Sequence, residues 1–159
     1  MSNKIVIVRN KWKSLPKVRS FDVIGIRPAV ASVTFNLGAN NISGFQKYDG
    51  KTINYNYASN HFKIQSSMNS HSGGIGLSMN LVDSAKDEII NEIQVVFASG
   101  ANPFMAYGSY QHATSDVTLS QSQDYNIHFE GYGQVFKFSS SVKSKYDNTS
   151  GVFASLKIN

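Results

Sequence analysis

An antiparallel β-sandwich, jelly-roll or immunoglobulin-like and with at most one short helix, is the fold class this sequence predicts. Three observations predict it. Apolar and polar residues alternate with period two in many short runs. Those runs are rich in Val, Ile, Thr, Tyr and Phe, which suit a half-buried pleated surface. Clusters of Asn, Asp, Gly and Ser separate them at short spacing, as in hairpin-rich sandwiches. A chain of 159 residues is expected to form one domain over residues 1–159. An apolar content of 41% with only three Pro is globular composition.

The chain opens on a basic segment, about residues 1–27. It holds Lys4, Arg9, Lys11, Lys13, Lys17, Arg19 and Arg27 against Asp22 alone. The other eight cations face nine carboxylates, so the rest of the chain is nearly neutral. A local field of one sign attracts an anionic partner. The run Asn10 to Arg19 also carries the one Trp, between Lys11 and Lys13. An indole flanked by ammonium groups suits a lipid headgroup region, where the ring sits at the interface and the charges stay wet. In the competing reading the segment is an edge strand: Ile5, Ile7 and Trp12 pack on the core, and outward Lys and Arg discourage unwanted pairing.

Strand patterns follow at Val33–Leu37, Ile53–Tyr57, Phe62–Ile64, Ile75–Leu81 and Ile93–Phe97, and again at Val117–Leu119, Tyr125–Phe129, Val135–Phe138 and Val152–Ile158. Turn chemistry separates them at Asn40-Asn41, Asp49-Gly50, Ser72-Gly73-Gly74, Gly100 to Pro103 and Glu130-Gly131. Asp49-Gly50 between apolar runs is the best hairpin signal. Residues 84–95 admit a helix capped by Ser84, but their β-branched content favours a strand, with 82–88 as a connection.

Three stretches mix Tyr with Asn, Gln and His: 54–61, 104–112 and 125–133. Tyr offers a rigid face and a polar tip, so such clusters suit sugars or polar polymers, although alternate half-buried sheet positions give the same pattern. Tyr107, Tyr110 and His112 are the expected contact residues of the second stretch, where Gly108 interrupts the strand pattern.

Other chemistries lack their residues. With no Cys there is no disulfide, thiolate metal site or Cys nucleophile. His61, His71, His112 and His128 show no metal-ligand spacing, and Asp83, Asp87 and Glu88 lack a calcium loop, so neither metal nor cofactor is expected. Ser72 to Gly76 has neither the Lys of a phosphate loop nor the spacing of a nucleophile elbow. The scattered carboxylates form no acid–base pair. Asn41-Ile42-Ser43 and Asn148-Thr149-Ser150 match the glycosylation acceptor pattern, a common chance triplet. No apolar run reaches the length of a spanning helix or of a signal-peptide core. The stretch 107–156, with Tyr-Gly-Ser-Tyr-Gln-His-Ala and Ser-Val-Lys-Ser-Lys-Tyr-Asp, resembles small secreted proteins of Gram-positive bacteria; the resemblance implies no site.

The sequence therefore points to a non-enzymatic binding protein, secreted or at the cell surface, that attaches to an anionic membrane or envelope polymer. Lys11, Trp12, Lys13, Lys17 and Arg19 supply attraction and anchoring in this reading, and Tyr107, Tyr110 and His112 supply polar-aromatic contact, with glycan as a further ligand class. The runner-up is a structural or assembly protein, a phage- or capsid-like sandwich that makes homo-oligomers. A third reading is a membrane-damaging toxin with Ser32–Leu37 and Asp116–Ser122 as barrel-forming strands. Nucleic acid is a poor partner for so dilute a charge without an Arg cluster.

Overall fold

The computed structural model describes residues 2–29, 33–35, 38, 40–69, 72–127, 135–147 and 152–156. The fold is an all-β, sandwich-like arrangement of antiparallel sheets. Its strands are β1 (Ser2–Lys11), β2 (Phe21–Pro28), β3 (Val33–Phe35), β4 (Ile42–Tyr48), β5 (Lys51–Asn56), β6 (Phe62–Asn69), β7 (Ser72–Asn80), β8 (Ile89–Ser99), β9 (Phe104–Gln111), β10 (Tyr125–Ile127), β11 (Phe136–Phe138) and β12 (Val152–Leu156). The first sheet runs β1-β8-β4-β5. Because β1 pairs along nearly the whole of β8, β3 and β4 share the other edge of β8. The second sheet runs β12-β9-β2-β7-β6, and β10 and β11 form a separate ribbon.

The main core lies between the two sheets. Ile24, Ile26, Ile75, Leu77 and Met79 from the second sheet meet Ile42, Ile93, Val95 and Phe97 from the first. A second apolar cluster, with Val23, Tyr125, Ile127, Phe136 and Phe138, places the ribbon against the outer side of the second sheet. Strand β2 is therefore buried on both faces, with Ile24 and Ile26 toward one cluster and Val23 toward the other. Gly25 and Gly76 lie opposite each other in the register, where the rings of Phe136 and Tyr125 press onto the sheet.

Residues 84–95 contain no helix: β8 begins at Ile89, and the preceding residues form the connection. The one helical turn among the described residues is α1 (Leu119–Ser122), apart from a 3₁₀ turn at Lys143–Lys145. This corrects the expected strand at Val117–Leu119, and with it the barrel strand at Asp116–Ser122. The reason is local. The Thr118 hydroxyl accepts from the Gln121 N–H while the Gln121 side chain accepts from the Thr118 N–H, a reciprocal cap that starts a helix. Of Ser32–Leu37, Val33–Phe35 form β3, and Ser32, Asn36 and Leu37 lie outside the described residues. Ser72, Gly73 and Gly74 open strand β7 instead of making a turn.

The Asp49-Gly50 hairpin joins β4 and β5, with φ of 49° and 80° at its two central residues, as a mirror-image two-residue turn requires. Asp49 does a second job. Its carboxylate accepts from the backbone N–H groups of Lys86 and Asp87, both at 2.8 Å, and of Glu88 at 3.1 Å. These bonds, Lys86 first, hold the carboxyl below the usual carboxylate range. A depressed carboxylate contributes stability above its ordinary pKa of 3.8 and loses it as pH falls through the folded value. Asp49→Ala is expected to speed amide hydrogen exchange at residues 86–88 at neutral pH and leave the β2 and β7 amides slow. Unchanged exchange at 86–88 would count against this tether.

Candidate anion-binding face

Register fixes which side chains of β1 share a face. Residues directly opposite in an antiparallel pair point to the same side. Val6 and Val8 pack on the main core, and Lys4 is buried beside them in sequence parity. Asn3, Ile5, Ile7, Arg9 and Lys11 are exposed on the other side. Ile5 is 63% exposed and Ile7 53%. β1 is the edge strand expected and Trp12 packs on the core, but Ile5 and Ile7 point outward where that expectation packed them inward. An odd number separates Trp12 from both isoleucines, so one regular strand cannot place all three on one face.

The outer face of the first sheet can be read row by row. Ile5 lies opposite Val96, and Ile7 opposite Gln94. Arg9 lies opposite Glu92, which is itself opposite Phe45. Lys11 and Lys47 both lie opposite Ile90, one on each side of β8. No described element forms a core cluster over this face. Arg9 is engaged, its guanidinium lying 2.7 Å from the Glu92 carboxylate. Lys11 and Lys47 are exposed and make no ion pair among the described residues. Lys13 and Lys17 are exposed in the segment that follows β1.

Trp12 and Arg19 hold that segment down. The Trp12 backbone N–H donates to Ile89 O, and the indole ring meets Tyr110 and His112 edge-on, with centroids 5.8 and 5.0 Å away. Arg19 donates from Nε to Pro16 O at 2.7 Å and from Nη1 to Val82 O at 2.7 Å and Ala85 O at 3.2 Å. Trp12 and Leu15 also pack on a small cluster of Leu81, Ala85 and Ile89. The basic segment is thus laid across one end of the sandwich, and any anchoring by Trp12 would require its ring to leave His112 and Tyr110. Of the five residues expected to bind an anion, Lys11, Lys13 and Lys17 are free to do so.

The polar-aromatic trio does not form one surface. Tyr107 and Tyr110 are three residues apart on β9, so they face opposite sides. Tyr107 is half-buried on the ribbon side, with the Arg27 guanidinium over its ring at 5.6 Å. Tyr110 is buried in the main core, where it donates to the Asp22 carboxylate at 2.5 Å. His112 is half-buried, and its Nδ1 lies 2.9 Å from both Asp22 oxygens. The Ala113 N–H also donates to Asp22 at 2.8 Å.

Burial pushes the Asp22 carboxyl up despite the opposing bonds from His112, Tyr110 and Ala113. Burial alone would push His112 down, but its hydrogen bond and charge pairing with Asp22, together with Asp147, raise it overall. Burial, then the Asp22 charge, raises the Tyr110 hydroxyl well above its ordinary range. This network ties β2, β8 and β9 together at one end of the core, since the Tyr110 hydroxyl also reaches Asn91 at 3.1 Å. A separate polar cleft of about 610 Å3 lies between Asn60, Lys63 and the α1 turn. Its Lys63 ammonium already donates to the Gln123 and Tyr125 carbonyls, at 2.8 and 2.6 Å.

Sequence reasoning missed Ile5, Ile7 and Lys47 as parts of one face. Parity along β1 was a signal for the isoleucines, because Val6 and Val8 compete for the core in the same strand. Lys47 had no such signal, since it joins the face only through the pairing of β4 with β8. The sequence matches no family model and no curated protein.

Proposed function

We propose that this is a non-enzymatic binding protein that attaches to an anionic surface, membrane or envelope polymer, through its basic N-terminal segment and the adjoining outer face of the first sheet. The observation that carries this reading is the set of exposed lysines, Lys11, Lys13, Lys17 and Lys47, which make no ion pair among the described residues. Each Lys near an anionic leaflet contributes about 1 kcal/mol. Four of them reach useful adsorption at low salt, and added salt screens it within about 10 Å. Arg19 and Trp12 act in this reading by fixing the segment so that the ammonium groups are presented together. A net charge of +5 attracts the same class of surface at longer range.

The test is charge reversal. Lys11→Glu, Lys13→Glu and Lys17→Glu combined are expected to abolish low-salt sedimentation with vesicles of phosphatidylcholine and phosphatidylserine and with immobilised polyphosphate. The substitutions sit at exposed positions, so the unfolding midpoint should change little. Undiminished adsorption to both probes would refute the reading.

A further inference from the structure

We infer that the anionic surface is a lipid bilayer, and that Ile5 and Ile7 enter its headgroup–acyl boundary while Lys11 and Lys47 contact lipid phosphates. This inference rests on the binding reading above and narrows it to one class of partner.

Among the described residues, Ile5 and Ile7 are the large aliphatic side chains exposed past half of their surface. They are two positions apart on one strand, hence about 7 Å apart on the same face. Val96, directly beside Ile5 on β8, is itself buried, so the exposed apolar surface is that of the two isoleucines. Lys11 lies about 20 Å from Ile5 along the strand, and Lys47 lies across β8 from it. One end of the face is thus apolar and the other cationic. A polysaccharide or polyphosphate satisfies the cationic end, but it offers isoleucine no apolar depth. A bilayer with anionic lipids offers both: an acyl boundary for the isoleucines and phosphates at headgroup level for the lysines.

Charge complementarity also disfavours a second copy of this chain, because stacking two such faces in parallel brings the lysine ends together. Edge-to-edge pairing through β1 is opposed by Lys4, a cation that points inward near the start of an edge strand and is buried.

The experiment compares Ile5→Thr with Ile7→Thr, combined, against the wild type. Threonine keeps the β-branched shape, so the strand is retained. With phosphatidylcholine–phosphatidylserine vesicles the variant is expected to partition about tenfold to hundredfold more weakly, the loss of two partly buried aliphatic side chains. Binding to polyphosphate should stay at the wild-type level. Ile5→Leu with Ile7→Leu should restore partitioning. Equal vesicle binding by the Thr variant and the wild type would overturn the lipid assignment while leaving the charge reading intact. Undiminished binding of both probes by the lysine variant would overturn both readings. A wild type that sediments as a dimer at micromolar concentration, with a monomeric Thr variant, would overturn the lipid assignment in favour of a second copy.

Discussion

Asp22→Ala is expected to lower the unfolding free energy by about 3–5 kcal/mol, the range for breaking a buried charged pair by removing one partner. Asp22 is fully buried and accepts from three groups: the Tyr110 hydroxyl, His112 and the Ala113 N–H. Removing the carboxylate leaves the tyrosine hydroxyl and the amide buried with one partner fewer, and strands the imidazole next to the Trp12 ring. Small domains are stable by about 5–15 kcal/mol, so this single change is a large fraction of the total. Urea unfolding, with the slope checked for two-state behaviour, measures it. A loss under about 1 kcal/mol would mean that the network is not what joins the strands at this end. Asp22→Asn keeps the shape and one acceptor, and it should cost less.

The same network predicts a direction with pH. His112 is raised in the folded state. The stability it contributes is fully present below its ordinary 6.5 and is lost as pH rises through the folded value. The raised Asp22 carboxyl acts with the same sign in its own lower window, because the folded state also holds that proton more tightly. The groups facing the imidazole are Asp22 from β2, Asp147 from the C-terminal connection, Tyr110 from β9 and Trp12 from the end of β1. His61 carries the opposite sign, because burial lowers it. The clean measurement is therefore a difference. The stability gap between wild type and His112→Gln should shrink from about pH 6 to about pH 8. A gap that widens over that range would reverse the sign argued here.

How far the fold could be read from the sequence follows from which faces are covered. β5 and the Asp49-Gly50 hairpin were legible because one face meets the core and the other meets solvent, and β7 because Ile75, Leu77 and Met79 alternate with the small Gly74, Gly76 and Ser78 that lie under the ribbon. β2 was not, because Phe21 to Arg27 has no alternation. Its outer side is covered by the ribbon, so Val23 is as buried as Ile24. β4 was hidden for another reason. Its inward positions are Ile42, Gly44 and Gln46, and the Gln46 amide is used to bond Asn80 O and the Val82 N–H at the end of the opposite sheet. A polar residue at a core position inverts the expected pattern.

The candidate site was half legible. Charge placed it in the first 27 residues, and Lys11, Lys13 and Lys17 are exposed there. The two isoleucines were not assigned to it, because apolar residues in a strand are expected inside by default. In β1 two apolar sets, Ile5 with Ile7 and Val6 with Val8, compete for the core. The buried Trp12 contact at the strand's end goes with the valines. Tyr107 and Tyr110 failed as a pair because three residues separate them, a spacing that unites side chains on a helix and divides them on a strand.

Gly76→Ala is expected to cost about 3 kcal/mol, the upper end of overpacking penalties. A β-carbon at Gly76 would overlap the Tyr125 hydroxyl and sit 2.9 Å from Tyr125 Cζ and 3.0 Å from Phe136 Cε1. Neither ring can retreat easily. Tyr125 meets Phe136 edge-on with centroids 4.7 Å apart, and both lie in a cluster closed by Phe138 and Tyr146, which stack at 4.2 Å. The cross-strand neighbour Gly25 meets the same Phe136 ring and, at 2.9 Å, the Ile75 carbonyl. A methyl there pushes on backbone as well as on a side chain. The two glycines thus let the ribbon lie flat on the second sheet, which fixes their identity without any demand on φ. A double-mutant cycle separates this from a general loss of strand stability. The Tyr125 hydroxyl is buried with no hydrogen-bond partner among the described residues, so Tyr125→Phe alone should be neutral or slightly stabilising. Combined with Gly76→Ala, it should recover about 1 kcal/mol of the loss, because the overlapping oxygen is gone while the ring stays close. Strict additivity of the two substitutions in urea unfolding would mean that the ribbon does not press on Gly76. A recovered fraction would locate the strain at that contact, and with it the reason that β2 and β7 carry glycine where a solvent-facing sheet would carry Thr or Lys.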